Sequence, residues 1–164
     1  MSFGAVPASQ PGCRSGIPVA PKTVTGKPAP SGFEFFVPGN CTPWARAGGG
    51  KTGHRFTPVK QRDYMAALKL FCQRAMHGAQ PLDGPVDLKI EARYPWPKSM
   101  SQKKRALPGA YWRTGRPDFD NIAKIVGDAL NNIAWLDDAQ IAFASVSKVY
   151  SDIPGLKVGV EALS

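Results

Sequence analysis

Apolar and polar residues alternate most regularly in residues 86–94, which read VDLKIEARY. Every second residue from Val86 is apolar, so this segment predicts a strand with one buried face. Apolar runs at 140–150 and 156–161 predict two further strands, and residues 33–37 predict a short strand that closes at a Pro-Gly pair. The pattern therefore predicts four strands.

Two segments, about 58–76 and about 118–131, carry apolar residues at helical spacing. Thr57 can cap the first helix, with Pro58 at its first position. The predicted apolar stripe of the first helix is Tyr64, Leu68, Phe71, Cys72 and Ala75, and that of the second is Ile122, Ile125, Val126, Ala129, Leu130 and Ile133. The order β-α-β-α-β-β predicts a small single α+β domain with two helices packed on a mixed sheet.

The domain organisation follows from composition. Residues 1–32 are rich in Pro, Gly, Ser and Ala, so we expect a disordered N-terminal extension before a folded domain at 33–164. Residues 38–57 predict a Gly- and basic-rich loop, and residues 95–117 a long basic loop. Trp96 and Trp112 in that loop could stack on unpaired bases, although packing beneath the loop is the more common role.

The net charge is +9, and it is unevenly distributed along the chain. Residues 1–117 hold 18 Lys and Arg and 5 acids, whereas residues 118–164 hold 3 Lys and 7 acids. A basic surface attracts nucleic-acid backbones, although solvated charged faces are common in small basic proteins. Clustered acids would repel the phosphates of a nucleic acid unless a cation lies between the acids and the phosphate.

Membrane and secreted classes are not indicated. No run approaches 18 uncharged apolar residues, and the N-terminus lacks the pattern of a secretory signal. The three cysteines, an odd number without a CxxC pair, argue against a zinc site or a disulfide framework. We expect reduced thiols in a cytoplasmic protein, with Cys72 in the core.

The acidic segment, residues 117–141, reads PDFDNIAKIVGDALNNIAWLDDAQI. Three charged residues four apart share the helix face opposite the apolar stripe: Asp120, Lys124 and Asp128. Asp118 stands at the helix start, and Asp137 and Asp138 follow in a turn that could fold back beside Asp118 and Asp120. Mg²⁺ takes carboxylate ligands, and a nearby lysine can hold a phosphate. Helix capping, turn formation and surface ion pairing are the ordinary roles of such residues, and both readings stay open at this point.

The pattern RPDFDN-IAK-(x)3-DALN-(x)4-LDDAQI closely resembles the motif of the RusA-type Holliday junction endonucleases, which are small dimeric enzymes often carried by prophages. The resemblance extends more weakly from Phe33 to the C-terminus. It departs from the family in the N-terminal extension and in the enlarged loop at 95–117, which leaves substrate preference open.

The resemblance implies a role for each residue of the motif. Asp118, Asp120 and Asp138 would bind Mg²⁺, or Mn²⁺ in its place, and Lys124 would be the catalytic lysine. Asp137 would orient the turn, and Asp128 would pair with Lys124. A homodimer would bring two sites to a four-way DNA junction and make paired symmetric nicks.

Basic loop residues are the predicted contacts to the DNA backbone. They are Arg46, Lys51, Arg55, Lys103, Lys104 and Arg105. Two alternatives remain: a basic nucleic-acid-binding module without catalysis, and a nuclease of the same chemistry that acts on flaps or forks.

Overall fold

The computed structural model describes residues 30–45, 48–49, 55–56 and 58–163. Its elements, in chain order, are β1 (Gly32–Pro38), β2 (Gly48–Gly49), β3 (Arg55–Phe56), α1 (Val59–Met76), β4 (Val86–Tyr94), α2 (Gln102–Arg105), α3 (Phe119–Leu130), a 3-10 turn (Asp138–Gln140), β5 (Ile141–Tyr150) and β6 (Gly155–Ala162). Within these ranges no helix is both long and apolar enough to cross a membrane.

The main sheet has the strand order β1-β6-β4-β5. Strand β6 runs antiparallel to both β1 and β4, whereas β4 and β5 are parallel, so the sheet is mixed. The parallel pair is connected through α2, α3 and the 3-10 turn, as a parallel connection requires a crossover. Because β5 is last in the strand order, it lies at one edge of the sheet.

Helices α1 and α3 pack against each other and supply the apolar layer over the sheet. The stripe of α3 is fully buried at Ile122, Ile125 and Val126, and on β4 the alternate residues Leu88 and Ile90 face the same core. Full burial of such a side chain contributes about 1.5–3 kcal/mol to folding. This packing fixes α3 with its apolar stripe inward and its charged face outward.

The predicted α+β architecture is confirmed, and the strand predicted at 86–94 is found with the same bounds. Two predictions of plain loop are corrected. The loop predicted at 38–57 contains a short antiparallel pairing of β2 with β3. The loop at 95–117 contains α2, because Ser101 caps a turn of helix there by accepting a hydrogen bond from the Lys104 N–H.

The N-terminal predictions are only partly within reach of the structure. Residues 1–29 of the predicted disordered extension, and the proposed cap Thr57, lie outside the described residues. Strand β1 begins at Gly32, one residue before the predicted start. Pro58 occupies the N-cap of α1, and the first helical residue is Val59.

Candidate active site

Asp118 and Asp120 stand at the beginning of α3 with their side chains exposed. Asp118 is the N-cap residue, yet its carboxylate accepts no capping hydrogen bond. Capping is the ordinary reason for an aspartate at this position, and here the side chain is not used for it. Both carboxylates therefore remain available to an external cation beside the positive end of the helix dipole.

Lys124 lies one turn after Asp120, and its ammonium group is 3.9 Å from the centroid of the Trp44 ring. The Trp44 backbone N–H donates a hydrogen bond of 3.0 Å to the Asn121 carbonyl, which fixes the loop before α1 against α3. A cation over an indole face is attracted by the ring quadrupole. Trp44 thus holds Lys124 on the exposed face of α3.

The pairing predicted between Lys124 and Asp128 is not present. Within the described part of the chain, neither residue forms an ion pair. The tryptophan replaces the carboxylate as the neighbour of the ammonium group. Helix spacing alone could not reveal this, because Trp44 comes from a loop distant in sequence.

A surface cleft of about 360 Å³ opens beside these residues. It is lined by Pro43, Trp44, Arg116, Pro117, Asp118 and Asn121. The exposed residues Arg116 and Asp118 therefore line one cleft, as a site for a phosphate and its counter-cation would require. Neither Trp44 nor Arg116 was singled out from the sequence as a site residue.

The segment leading into α3 is held by β5. The Lys148 ammonium donates hydrogen bonds to the carbonyls of Gly115 and Pro117, at 3.0 and 2.9 Å. The Arg113 guanidinium lies 4.1 Å from the centroid of the Tyr94 ring, and the Arg113 backbone N–H donates to the Lys148 carbonyl. These contacts set the position of Asp118 from the C-terminal ends of β4 and β5.

The two aspartates that follow α3 have different surroundings. Asp137 forms a capping box, in which its carboxylate accepts from the Ala139 N–H and the Gln140 side chain accepts from the Asp137 N–H. Its predicted role in orienting the turn is therefore confirmed. Asp138 is exposed, and no described hydrogen bond or ion pair involves its carboxylate.

The structure separates Asp138 from Asp118. The Pro117 carbonyl lies beside Lys148, in the last third of β5, whereas Asp138 begins the 3-10 turn that precedes the first residue of that strand. Seven residue steps join Ile141 to Lys148, which is about 23 Å at the usual strand rise. Helix α3 lies between the two acids in the chain, and its 12 residues span about 18 Å.

The predicted turn that folds back beside Asp118 and Asp120 is accordingly wrong within one chain. In the ranges that the structure describes, no three His, Cys, Asp or Glu side chains lie close enough to hold a metal ion together. Asp118 and Asp120 supply two carboxylates at the N-cap and in the first turn of α3. Two carboxylates with waters and a substrate phosphate are the usual surroundings of Mg²⁺, so this pair fits the ion.

The predicted DNA contacts divide into three groups. Arg46 and Lys51 lie outside the described residues, and Arg55 is described only by its backbone pairing in β3. Lys103 and Lys104 are exposed on α2. Arg105 is half-buried, because its guanidinium stacks 5.3 Å from the Trp96 ring and donates to the Met100 carbonyl.

The aromatic residues of the same loop also divide. Trp96 stacks on Tyr150 at 5.3 Å, so it packs beneath the loop. Trp112 is 52% exposed and lies against Tyr111, with ring centroids 4.6 Å apart. The Tyr111 and Trp112 rings thus stay exposed, next to the segment that leads into α3.

A larger cavity of about 500 Å³ lies on the polar face of the sheet. Its charged lining is mostly neutralised internally, since Lys89 pairs with Glu161 at 2.8 Å and Lys157 with Glu34 at 3.0 Å. It includes none of the acids of α3. Cavity size therefore does not locate the candidate site in this protein.

Comparison with known proteins identifies relatives of the chain. Residues 38–161 match the family model described as Endodeoxyribonuclease RusA. The chain is also 33% identical over 116 residues to a protein of Bacillus subtilis (strain 168) described as "Uncharacterized protein YqaN", with 68% of this chain and 80% of that protein covered. The region that matches the family model contains every acid of α3 and of the turn that follows it.

Proposed function

The chain belongs to the RusA family of endodeoxyribonucleases, and from that premise we propose that it is a Mg²⁺-dependent endonuclease that cuts branched DNA, with four-way junctions as its principal substrate. The observation that carries the proposal is the pair of exposed carboxylates at the head of α3, one of which occupies an N-cap without capping. An acid freed from its ordinary structural role, in a cleft that Arg116 also lines, favours cation and phosphate binding.

The chemistry is hydrolysis of a phosphodiester. Water adds to phosphorus in line with the departing 3′ oxygen, the bond from phosphorus to that oxygen breaks, and 5′-phosphate and 3′-hydroxyl ends result. Mg²⁺, when bound, supplies an acidified water and neutralises charge on the phosphate. Asp118 and Asp120 would hold the ion, and Asp138, which lies apart from them within one chain, stays a predicted third ligand.

Lys124 acts on the phosphate itself. Its ammonium group is fixed over the Trp44 ring, so it meets the scissile group without first losing the freedom of a long mobile side chain. A preorganised cation stabilises negative charge that grows in the transition state. Arg116, in the same cleft, adds a second donor to the phosphate.

The DNA surface extends from this cleft across α2. Lys103 and Lys104 project from the described surface of the loop, and they contact the backbone without reading sequence. The exposed Trp112 offers a face on which an unpaired base at the branch point stacks. Structure-specific rather than sequence-specific recognition follows from such contacts.

The proposal is tested with a panel of fluorescent four-way, three-way, flap and linear duplex DNAs in Mg²⁺. Wild type should cut the four-way junction fastest, and Asp118→Asn should bind it without cutting it. Asp63→Asn, which removes an exposed acid from α1, is the matched control and should cut normally. If flaps or forks are cut faster than the four-way junction, they are the principal substrate and the proposed one is wrong. If the protein binds DNA but cuts none of the panel, a nucleic-acid-binding module without catalysis is favoured.

A further inference from the structure

A second cleft, of about 400 Å³, opens between α2 and the turn that joins β5 to β6. We call it the α2 cleft, and its lining residues are Trp96, Gln102, Arg105, Ala106 and Asp152. It shares no lining residue with the cleft beside Asp118. Its volume falls within the usual range of small-ligand sites, about 300–1,000 Å³. Most of its lining comes from the loop at 95–117, where the chain departs from the family pattern.

Two of the lining residues belong to a column of stacked side chains. The Arg105 guanidinium lies 5.3 Å from the centroid of the Trp96 ring, and that ring stacks on the Tyr150 ring at 5.3 Å. Arg105 is fixed further because its Nε donates a hydrogen bond of 3.3 Å to the Met100 carbonyl. It nevertheless stays partly exposed. A planar guanidinium held in this way is a platform on which a flat aromatic group such as a nucleobase stacks.

Asp152 supplies the cleft with a carboxylate that the fold does not use. An aspartate in a turn ordinarily accepts a backbone hydrogen bond. In this turn the Ser151 hydroxyl takes that role, since it accepts from the Ile153 N–H at 3.2 Å. Asp152 is exposed and forms no ion pair with any residue that the structure describes, although Arg105 lines the same cleft. The two opposite charges therefore remain available to a ligand.

The polar groups of the α2 cleft match the edge of a guanine base. The two carboxylate oxygens of Asp152 are acceptors, and guanine presents two adjacent donors, N1–H and N2–H. The Gln102 amide can donate to the O6 atom of the same base. Adenine, cytosine and thymine do not present two adjacent donors, so a carboxylate binds them less well. This edge is free only in an unpaired base, because base pairing otherwise occupies it.

The basic residues beside the cleft favour a nucleotide over an uncharged aromatic ligand. Lys103 and Lys104 are exposed on α2, the helix that also carries Gln102. A base bound in the cleft keeps its flanking phosphates near this helix, where two ammonium groups can contact them. The cleft thus offers a platform for the base, partners for its edge and cations for its backbone.

The same column of side chains connects the α2 cleft to the candidate active site. The Arg113 guanidinium lies 5.7 Å from the centroid of the Tyr150 ring, and it donates a hydrogen bond to the Arg116 carbonyl. Arg116 lines the cleft beside Asp118. The two clefts are therefore joined through packed side chains near the C-terminal end of β5.

We propose that the α2 cleft binds one unpaired guanine of a DNA strand, stacked on Arg105, with its N1–H and N2–H donating to Asp152 and its O6 accepting from Gln102. The inference rests on the proposed function for the choice of DNA as the ligand. It goes beyond that function because it adds a base preference to contacts that depend only on backbone and shape. Branch points with an unpaired guanine within reach of α2 are then the preferred ones.

The base preference is tested by the affinity of the full chain for short single strands, measured by fluorescence anisotropy without divalent cations so that no strand is cut. The probes are oligothymidine and the same strand with its central base changed to guanine, adenine or cytosine. Wild type should bind the guanine strand about ten-fold more tightly than oligothymidine, as one bidentate contact to a base provides. Equal affinity for all four strands would overturn the proposal, and a preference for adenine or cytosine would overturn the assignment to guanine.

Asp152→Asn should abolish the preference for the guanine strand, because one of the two acceptors becomes a donor. Asp83→Asn removes an exposed acid from a different turn, makes the same change of net charge and should keep the ten-fold preference. Both variants should bind oligothymidine with the same affinity. A guanine preference that survives Asp152→Asn would show that this carboxylate does not contact the base.

The stacking platform is tested with 2-aminopurine, a fluorescent purine whose emission falls when it stacks. At the central position of the strand, its emission should fall on saturation with wild type and should stay high with Arg105→Lys, which keeps the charge but not the plane. Arg74→Lys, where the arginine lies 6.0 Å from the centroid of the Phe71 ring on α1, is the matched control and should quench like wild type. Equal quenching by wild type and a folded Arg105→Lys protein would overturn the platform.

These measurements do not depend on cleavage. If wild type cuts the DNA panel but shows no base preference, the guanine subsite is wrong and the proposed nuclease stands. If the guanine preference is present and no DNA in the panel is cut, the subsite stands and the nuclease is wrong.

Discussion

The Lys124 ammonium group lies 3.9 Å from the centroid of the Trp44 ring, and this contact joins a loop to the helix that carries the acids. A hydrogen bond from the Trp44 N–H to the Asn121 carbonyl reinforces it. The lysine is thereby held without a carboxylate partner, so its charge is not neutralised before a phosphate arrives. We therefore expect Trp44 to be a positioning residue that acts through Lys124.

The first prediction concerns this contact. Trp44→Leu should lower the single-turnover cleavage rate about five-fold, which corresponds to about 1 kcal/mol for the lost cation–π interaction. Trp44→Phe keeps an aromatic face and should recover most of the rate. Junction affinity should change little in either variant. Equal rates for the Leu and Phe variants would show that the ring does not position the lysine.

The second prediction separates two neighbouring acids. Asp137→Ala removes a capping box and should lower stability by about 1 kcal/mol, or a few degrees in Tm. Asp138→Ala removes a carboxylate without a described partner and should leave Tm unchanged while cleavage is lost. Thermal melts and cleavage assays on both variants provide the check. A lower Tm for Asp138→Ala, or lost cleavage at an unchanged Tm for Asp137→Ala, would contradict the roles assigned to these two residues.

The third prediction concerns the backbone contacts of α2. Lys103→Ala with Lys104→Ala should reduce the slope of log affinity against log salt by about two, since each phosphate contact contributes about 0.9. The loss should be similar for junction and duplex. Lys60→Ala with Lys69→Ala makes the same change of net charge on α1 and serves as the control. The same slope change in both pairs would show that only net charge matters.

The fourth prediction concerns pH. Burial raises the pKa of the Cys72 thiol from 9.0 to about 12, and burial also raises the pKa of Cys41. Below pH 9 the thiol is protonated in both states. Above pH 9 it ionises in the unfolded chain but not in the folded one, so stability falls as pH rises.

Urea denaturation measures this fall. Cys72 should contribute about 1.4 kcal/mol per pH unit above pH 9. Cys72→Ala should make the alkaline decline shallower by that amount, whatever the packing cost of the smaller side chain at neutral pH. Parallel stability curves for the two proteins between pH 9 and 10.5 would contradict the prediction.

Local patterns predicted most of the elements because each one depends on its own residues. Strict alternation from Val86 to Tyr94 marked a strand, and the apolar stripe of α3 marked its buried face. The burial of Trp135 likewise follows from its place beside the apolar end of that helix. These features are determined by one face of one element.

The placement of the acids was not predictable in the same way. Whether Asp138 meets Asp118 depends on how α3 packs beside β5, which is a property of the packed domain. The contact of Lys124 with Trp44 likewise joins distant segments. The sequence motif indicated which residues are candidates for the site, but it carried no information on where the packed domain places each one.

The most direct test of the central claim is single-turnover cleavage of a four-way junction in Mg²⁺ by wild type and Asp120→Asn. The account predicts paired nicks by wild type that leave 5′-phosphates, and a rate at least about 100-fold lower in the variant, with junction binding retained. An Asp120→Asn protein that cuts the junction at the wild-type rate would contradict the account.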